Sequence, residues 1–154
     1  MRICLIDVDS QQPNLALMRL STYYKGKGHS VKLFRADLPY FPTRKRRMFF
    51  VPDGYDRYFA SVVFSGTRKF VQSGNKEVVF GGSGVDLSLS LPEDVSECEL
   101  DYSIYPENKT SYGFISRGCP RKCSFCDVPE KEGGIRQVAS IDSIVRHKQV
   151  MFMD

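Results

Sequence analysis

Three of the chain's five cysteines, Cys119, Cys123 and Cys126, fall within eight residues of the stretch GFISRGCPRKCSFCDVPEKEGG, spaced C-x3-C-x2-C. Thiolates are metal ligands, and the charges of Arg117, Arg121 and Lys122 beside them favour thiolate over thiol. An odd cysteine count with three clustered does not suit a secreted disulfide framework; in a reducing compartment such a cluster holds metal. Iron–sulfur clusters are bound by cysteine thiolates, usually four, so a loop that supplies three leaves one iron without a protein ligand. That open position can take an external molecule, by the logic that separates catalytic from structural zinc. Structural zinc is the alternative for the triplet, with Cys98 or His147 as fourth ligand. Cys4 sits in an apolar run, where an unligated thiol behaves as a small hydrophobe.

The elements that must carry this loop are read from periodicity. RICLIDV (residues 2–8) is an apolar run ending in acid, the pattern of a buried parallel strand. Leu15, Leu17, Met18, Leu20 and Tyr24 then recur at helical spacing, with Asn14 to cap the start and Gly26 or Gly28 to end it. GHSVKLF reads as a second strand with Val31 and Leu33 on one face, and a strand, helix, strand unit has the right-handed parallel crossover as its default. After a basic, proline-broken insertion (residues 39–54), YFASVVFS predicts a third strand, TRKFVQSGN a short helix and KEVVFGG a fourth strand. This alternation predicts an α/β fold, an open parallel sheet of Rossmann-like or flavodoxin-like kind with helices on both faces. Ligands on such sheets gather at the carboxyl ends of the strands, here Asp7, Asp9, Ser65, Gly66, Gly81, Gly82 and Gly84. Three regions result: an α/β domain over 1–85, an acidic linker over 86–110, and a second domain over 111–154 that opens with strand SYGFIS, the cysteine loop, helix SIDSIVRHK and buried strand QVMFMD.

With 154 residues, 42% hydrophobic and 26% charged, the chain has an ordinary globular composition. It has no apolar run of about 18 residues and no secretory leader pattern, so the expectation is a cytoplasmic protein without membrane contact. The net charge of +4 is uneven: residues 19–48 hold nine Lys or Arg against Asp37, and residues 92–107 hold six acids and no base. The basic stretch reads first as a solvated loop, and nucleic acid is the lesser reading.

The triplet Cys119-x3-Cys123-x2-Cys126, with Phe125 before its last cysteine, resembles the signature of radical S-adenosylmethionine (radical SAM) enzymes. The flanking RGCPRKCSFCDVPEKEG is similar to that loop in members with a cobalamin-binding-like first domain. The resemblance implies a 4Fe–4S cluster on the three thiolates with SAM on the fourth iron, reductive cleavage of SAM to a 5′-deoxyadenosyl radical that acts on an unknown substrate, and a flavodoxin-like reductant. It implies Phe125 near the adenine of SAM, where plain core packing is the other reading, and Asp154 near the SAM amino group. The second domain is then the first strands of a partial TIM barrel. The family's cobalamin motif, Asp-x-His-x-x-Gly, is met here by Asp7-Val8-Asp9-Ser10-Gln11-Gln12. Asp9 replaces the cobalt-binding His and Gln12 the Gly, so cobalamin held without that ligand and a domain that has lost the cofactor both stay open.

A full barrel takes about 250 residues, so the expectation is the amino-terminal part of a radical SAM enzyme, a truncated relative, or a half completed by another chain. An open apolar face is then expected at Phe114, Ile144, Met151 and Met153. Two other functions are carried. One is methylthiotransferase-like modification of tRNA, from FCDVPEKEG and the basic stretch; the other is a non-catalytic zinc or iron–sulfur module.

Overall fold

A computed structural model describes residues 1–38, 47–121 and 123–154, and the chain divides into two compact units, Met1–Tyr105 and Pro106–Asp154. Arg44, Lys45 and Arg46 of the basic insertion, and Lys122 of the cysteine loop, lie outside the described residues.

The first unit begins with β1 (Arg2–Asp7). Its apolar residues point both ways, and Ile3, Cys4, Leu5 and Ile6 are all fully buried, as the central strand of a parallel sheet covered on two faces requires. Asn14 starts α1 (Leu15–Gly26), its side chain accepting from the Leu17 N–H at 3.2 Å. Gly28, at φ +77°, turns the chain away from the helix in a conformation that other residues resist. β2 (Ser30–Arg35) runs parallel to β1, with Ile3 opposite Val31 and Leu5 opposite Leu33. β3 (Phe49–Phe50), β4 (Arg57–Ser61), β5 (Val71–Gln72) and β6 (Val78–Gly81) follow. Strands β2, β1, β4 and β6, in that order, form the four-stranded parallel sheet, and the open α/β sheet is as expected.

One face of the sheet packs Ile3 and Leu5 on Leu17 and Tyr24 of α1, with Val31, Leu33 and Phe59 around them. Each such aliphatic side chain contributes about 1.5–3 kcal/mol by leaving water. No helix among the described residues covers the opposite face, Cys4, Ile6, Tyr58 and Ala60. TRKFVQSGN makes only a 3-10 turn, Arg68–Phe70, which runs into β5. β5 pairs in parallel with β3, Phe49 opposite Val71, and Phe49, Val51, Phe70 and Val71 cover the face. The expected second helical layer is thus a short ribbon: β-branched Val71 and the turn at Gly74 (φ +58°) leave too few residues to repay helix nucleation.

The acidic stretch, read as a linker draped over one or both of its neighbours, packs over part of its length on the first unit. α2 (Glu93–Ser96) and a 3-10 turn, Tyr102–Ile104, lie along α1. The Arg19 guanidinium donates to the Ser96 carbonyl, the Thr22 hydroxyl to the Glu99 carbonyl at 2.7 Å, and Ser21 and Lys25 both bond Asp101 at 2.6 Å. Residues 86–105 therefore belong to the first unit.

The second unit comprises β7 (Thr110–Gly113), β8 (Ser116–Arg117), α3 (Val128–Glu132), β9 (Arg136–Gln137), α4 (Ile141–Ile144) and β10 (Gln149–Phe152). β10 pairs in parallel with β7, from Gln149 opposite Thr110 to Phe152 opposite Gly113. The helix predicted in SIDSIVRHK is a single turn capped by Ser140, whose hydroxyl accepts from the Ser143 N–H. β10 is not the buried strand expected, because a two-stranded sheet covers little: Met151 is 44% and Phe152 42% exposed. Of the expected open apolar face, Met151 is exposed and Phe114 and Met153 half-buried, but Ile144 is buried. It sits so close to Gly113 that a Cβ there would lie 2.9 Å from Ile144 Cγ1. Among the described residues no helix is long and apolar enough to cross a membrane.

Candidate functional site

The cysteine loop leaves and rejoins the second unit at one point. β8 and β9 pair antiparallel, Ser116 opposite Gln137 and Arg117 opposite Arg136. Gly118, at φ +85°, is pressed against the returning chain: a Cβ there would stand 2.3 Å from the Gly134 carbonyl oxygen. The Cys119 N–H donates to the Gly133 carbonyl at 3.3 Å. Arg117 Nε lies 2.7 Å from Glu132 Oε2, and its guanidinium stacks 4.2 Å from the Phe114 ring centroid. On the returning side, α3 holds Pro129 in its first turn, where proline is tolerated, and is capped after Glu132 by Gly133 at φ +72°.

Within this closed loop none of the three cysteines is in a disulfide; Cys119 and Cys126 are half-buried and Cys123 is exposed. The Cys126 N–H donates to the Cys123 carbonyl at 3.2 Å, so these two cysteines share one turn. Phe125 between them is 88% exposed, which corrects the core-packing reading of that residue. Arg121 is exposed beside the thiols, but the charge of Arg117 is matched by Glu132 instead of being spent on them. Among the described residues no three His, Cys, Asp or Glu side chains stand grouped as a metal site. The donor set, three unpaired thiols on one pinned loop, suits a thiophilic iron–sulfur group in chemistry; the described geometry does not gather the three sulfurs.

Asp154 stands where the chain enters the loop. Its Oδ1 accepts from the Ile115 N–H at 2.8 Å and its Oδ2 from the Ser116 N–H at 3.1 Å, fixing the break that divides the predicted strand SYGFIS into β7 and β8. A carboxylate has about four lone-pair sites, so both oxygens keep accepting capacity. The alternative fourth ligands are engaged locally. The Cys98 thiol donates to the Asp94 carbonyl at 3.3 Å, and His147 Nδ1 pairs with the Ser111 hydroxyl at 3.2 Å.

The carboxyl edge of the first unit's sheet holds the acids picked out in the sequence. Asp9, in the position of the cobalamin motif's His, is 6% exposed. Its Oδ1 accepts from the Val63 N–H at 2.8 Å, and its Oδ2 from the Phe64 N–H at 3.0 Å and the Thr67 hydroxyl at 2.7 Å. The GGSG turn packs on the same segment: a Cβ on Gly82 would meet the Val62 carbonyl oxygen at 2.3 Å, and one on Gly84 the Phe64 carbonyl at 2.7 Å. Its glycines thus serve backbone against backbone, the strand-end reading of that turn.

Asp7 is 1% exposed. Burial pushes its carboxyl above the usual range, partly countered by hydrogen bonds from Ser10 and Tyr105 and by Arg35. Tyr105, a residue without periodicity to mark it in an acidic stretch, had no sequence signal of its role; burial and the neighbouring Asp7 push its phenol well above normal. No family model matches the chain, and nothing among curated proteins or solved structures matches it.

Proposed function

We propose that the chain carries the cluster-binding loop of a radical SAM enzyme, in which Cys119, Cys123 and Cys126 hold a 4Fe–4S cluster. The observation that carries this reading is the pinned loop with three unpaired thiols, Cys123 open to solvent. A cluster held by these three thiolates would keep one iron for an outside ligand, the amino and carboxylate groups of SAM. A cluster held there would, when reduced, supply the electron for cleaving SAM to methionine and a 5′-deoxyadenosyl radical acting on an unknown substrate. The reductant is a flavodoxin-like partner, and the compartment is the cytoplasm.

The chain's own residues do the positioning. Gly118 and Arg117 close the loop's base on Gly134 and Glu132. Phe125 offers an uncovered ring beside Cys126 for the flat face of adenine. Asp154 orients the chain leading into the loop through Ile115 and Ser116 and has acceptor sites left for the SAM ammonium. β7 and β10 are the opening strands of the partial barrel.

The test is anaerobic: chain loaded with iron and sulfide, reduced with dithionite and given SAM, releases 5′-deoxyadenosine, and the Cys123→Ala chain does not while keeping its far-UV circular dichroism. A chain that takes up one tightly held zinc and no iron contradicts the reading.

A further inference from the structure

In open parallel sheets the ligand crevice lies at the carboxyl ends, where the strand order reverses. Here the reversal falls between β1 and β4, because β2 flanks β1 on one side and β4 on the other. Asp7 ends β1, Ser61 ends β4 and Asn14 precedes α1, so these three residues frame the crevice. We propose that Tyr105 fills this crevice as a built-in ligand, making the first unit a cofactor-free scaffold and not a cobalamin-binding domain.

Tyr105 is the last residue of the first unit and is 6% exposed. Its hydroxyl donates to Asp7 Oδ2 at 2.8 Å and accepts from the Asn14 N–H at 3.1 Å. Asn14 in turn donates through Nδ2 to the hydroxyls of Ser61 and Ser10, both at 2.9 Å. The Ser10 N–H donates to Asp7 Oδ1 at 3.1 Å, and the Arg35 guanidinium lies 6.0 Å from the Tyr105 ring centroid. The polar groups that an entering ligand would meet are thus already paired with the chain itself. Cobalamin is misfitted once more: the residue in the cobalt-ligand position, Asp9, is spent on three donors of residues 63–67. Removing Tyr105 would take the hydroxyl donor from Oδ2 of the buried Asp7 and the acceptor from the half-buried Asn14 N–H, the costly way to break a hydrogen bond.

The experiment uses the full chain with its accessible thiols alkylated, so that cobalt–sulfur contacts at the cysteine loop cannot mimic a crevice site. Equilibrium dialysis against hydroxocobalamin is expected to retain none. Tyr105→Ala is expected to lower Tm by at least about 5 °C, and phenol, the severed ring and hydroxyl, to raise the Tm of that variant but not of the wild type. If Tyr105→Ala does not fold, Tyr105→Phe serves, with a lowered Tm and no cobalamin retained. Stoichiometric cobalamin on the wild type, a Tyr105→Ala chain indifferent to phenol, or a Tyr105→Phe chain as stable as the wild type overturns the proposal. None of these results bears on iron loading, so this inference and the cysteine-loop reading fail separately.

Discussion

Arg117 and Glu132, on either side of the cysteine loop, meet at 2.7 Å between Nε and Oε2 and tie the segment before the first thiol to the helix after the last. The pair is 37% and 14% exposed, so solvent screening limits it to about 0.2–1 kcal/mol. The close approach of Gly118 to Gly134 is less forgiving, since the contact is backbone and the φ is positive.

Gly118→Ala should therefore do more harm than Glu132→Gln. A non-glycine residue forced into the left-handed region costs about 1–2 kcal/mol before the clash is counted. The expected outcome is a loop that opens at its base, with iron uptake lost in Gly118→Ala and largely kept in Glu132→Gln. Iron analysis after anaerobic loading, with circular dichroism to confirm folding, reads the difference.

The five thiols should fall into classes. Burial pushes the Cys4 thiol up to about 12, and it is 0% exposed, so it should not react with a thiol reagent until the first unit unfolds. Cys123 should react first, Cys98, Cys119 and Cys126 more slowly. Titration with and without denaturant, with mass mapping of the modified residues, checks the order; a native chain alkylated early at Cys4 would refute the buried central strand.

Two acids of the first unit should give opposite pH dependences. Burial works to raise Asp101, but hydrogen bonds from Lys25, Ser103 and Ser21 outweigh it and hold its pKa below the ordinary value of 3.8. Its contribution is present above that value and is lost as pH falls through the lowered pKa, freeing the 93–105 strap from α1. Asp7 is raised, so its contribution is present below the ordinary value and is lost as pH rises through its shifted pKa. Asp101→Asn should flatten the acid limb of a stability–pH profile and Asp7→Asn the limb above it.

Asp154 should report on loop order without any metal present. In Asp154→Ala the amides of Ile115 and Ser116 lose their acceptors and should exchange with deuterium faster, while those of β1 do not change. Equal exchange in the two chains would remove Asp154 as a positioning residue.

Much of the first unit is legible in the sequence because its core elements are locally consistent. RICLID is apolar on both sides, Asn14 and Gly28 punctuate α1, and Val31 and Leu33 sit where period-two alternation puts them. What escaped is held by distant pairings. The ribbon of β3 and β5 joins Phe49 to Val71, and the strap is fixed by Lys25 to Asp101 and by Tyr105 to Asp7; none of these partners is periodic with its neighbours. The cysteine triplet was visible as chemistry. The clamp that closes its loop was not, because Gly118, Gly134 and Glu132 look like ordinary turn and surface residues until the chain is folded.

The most direct measurement of the central claim is anaerobic loading of the purified chain with ferrous iron and sulfide, followed by iron and sulfide analysis and visible and paramagnetic resonance spectra. The expected outcome is a brown protein with about four irons and four sulfides per chain, carried by cysteine thiolates, and a colourless one when Cys119, Cys123 or Cys126 is replaced by Ala. A wild-type chain that stays colourless, or that loads equally well without the three cysteines, would contradict it.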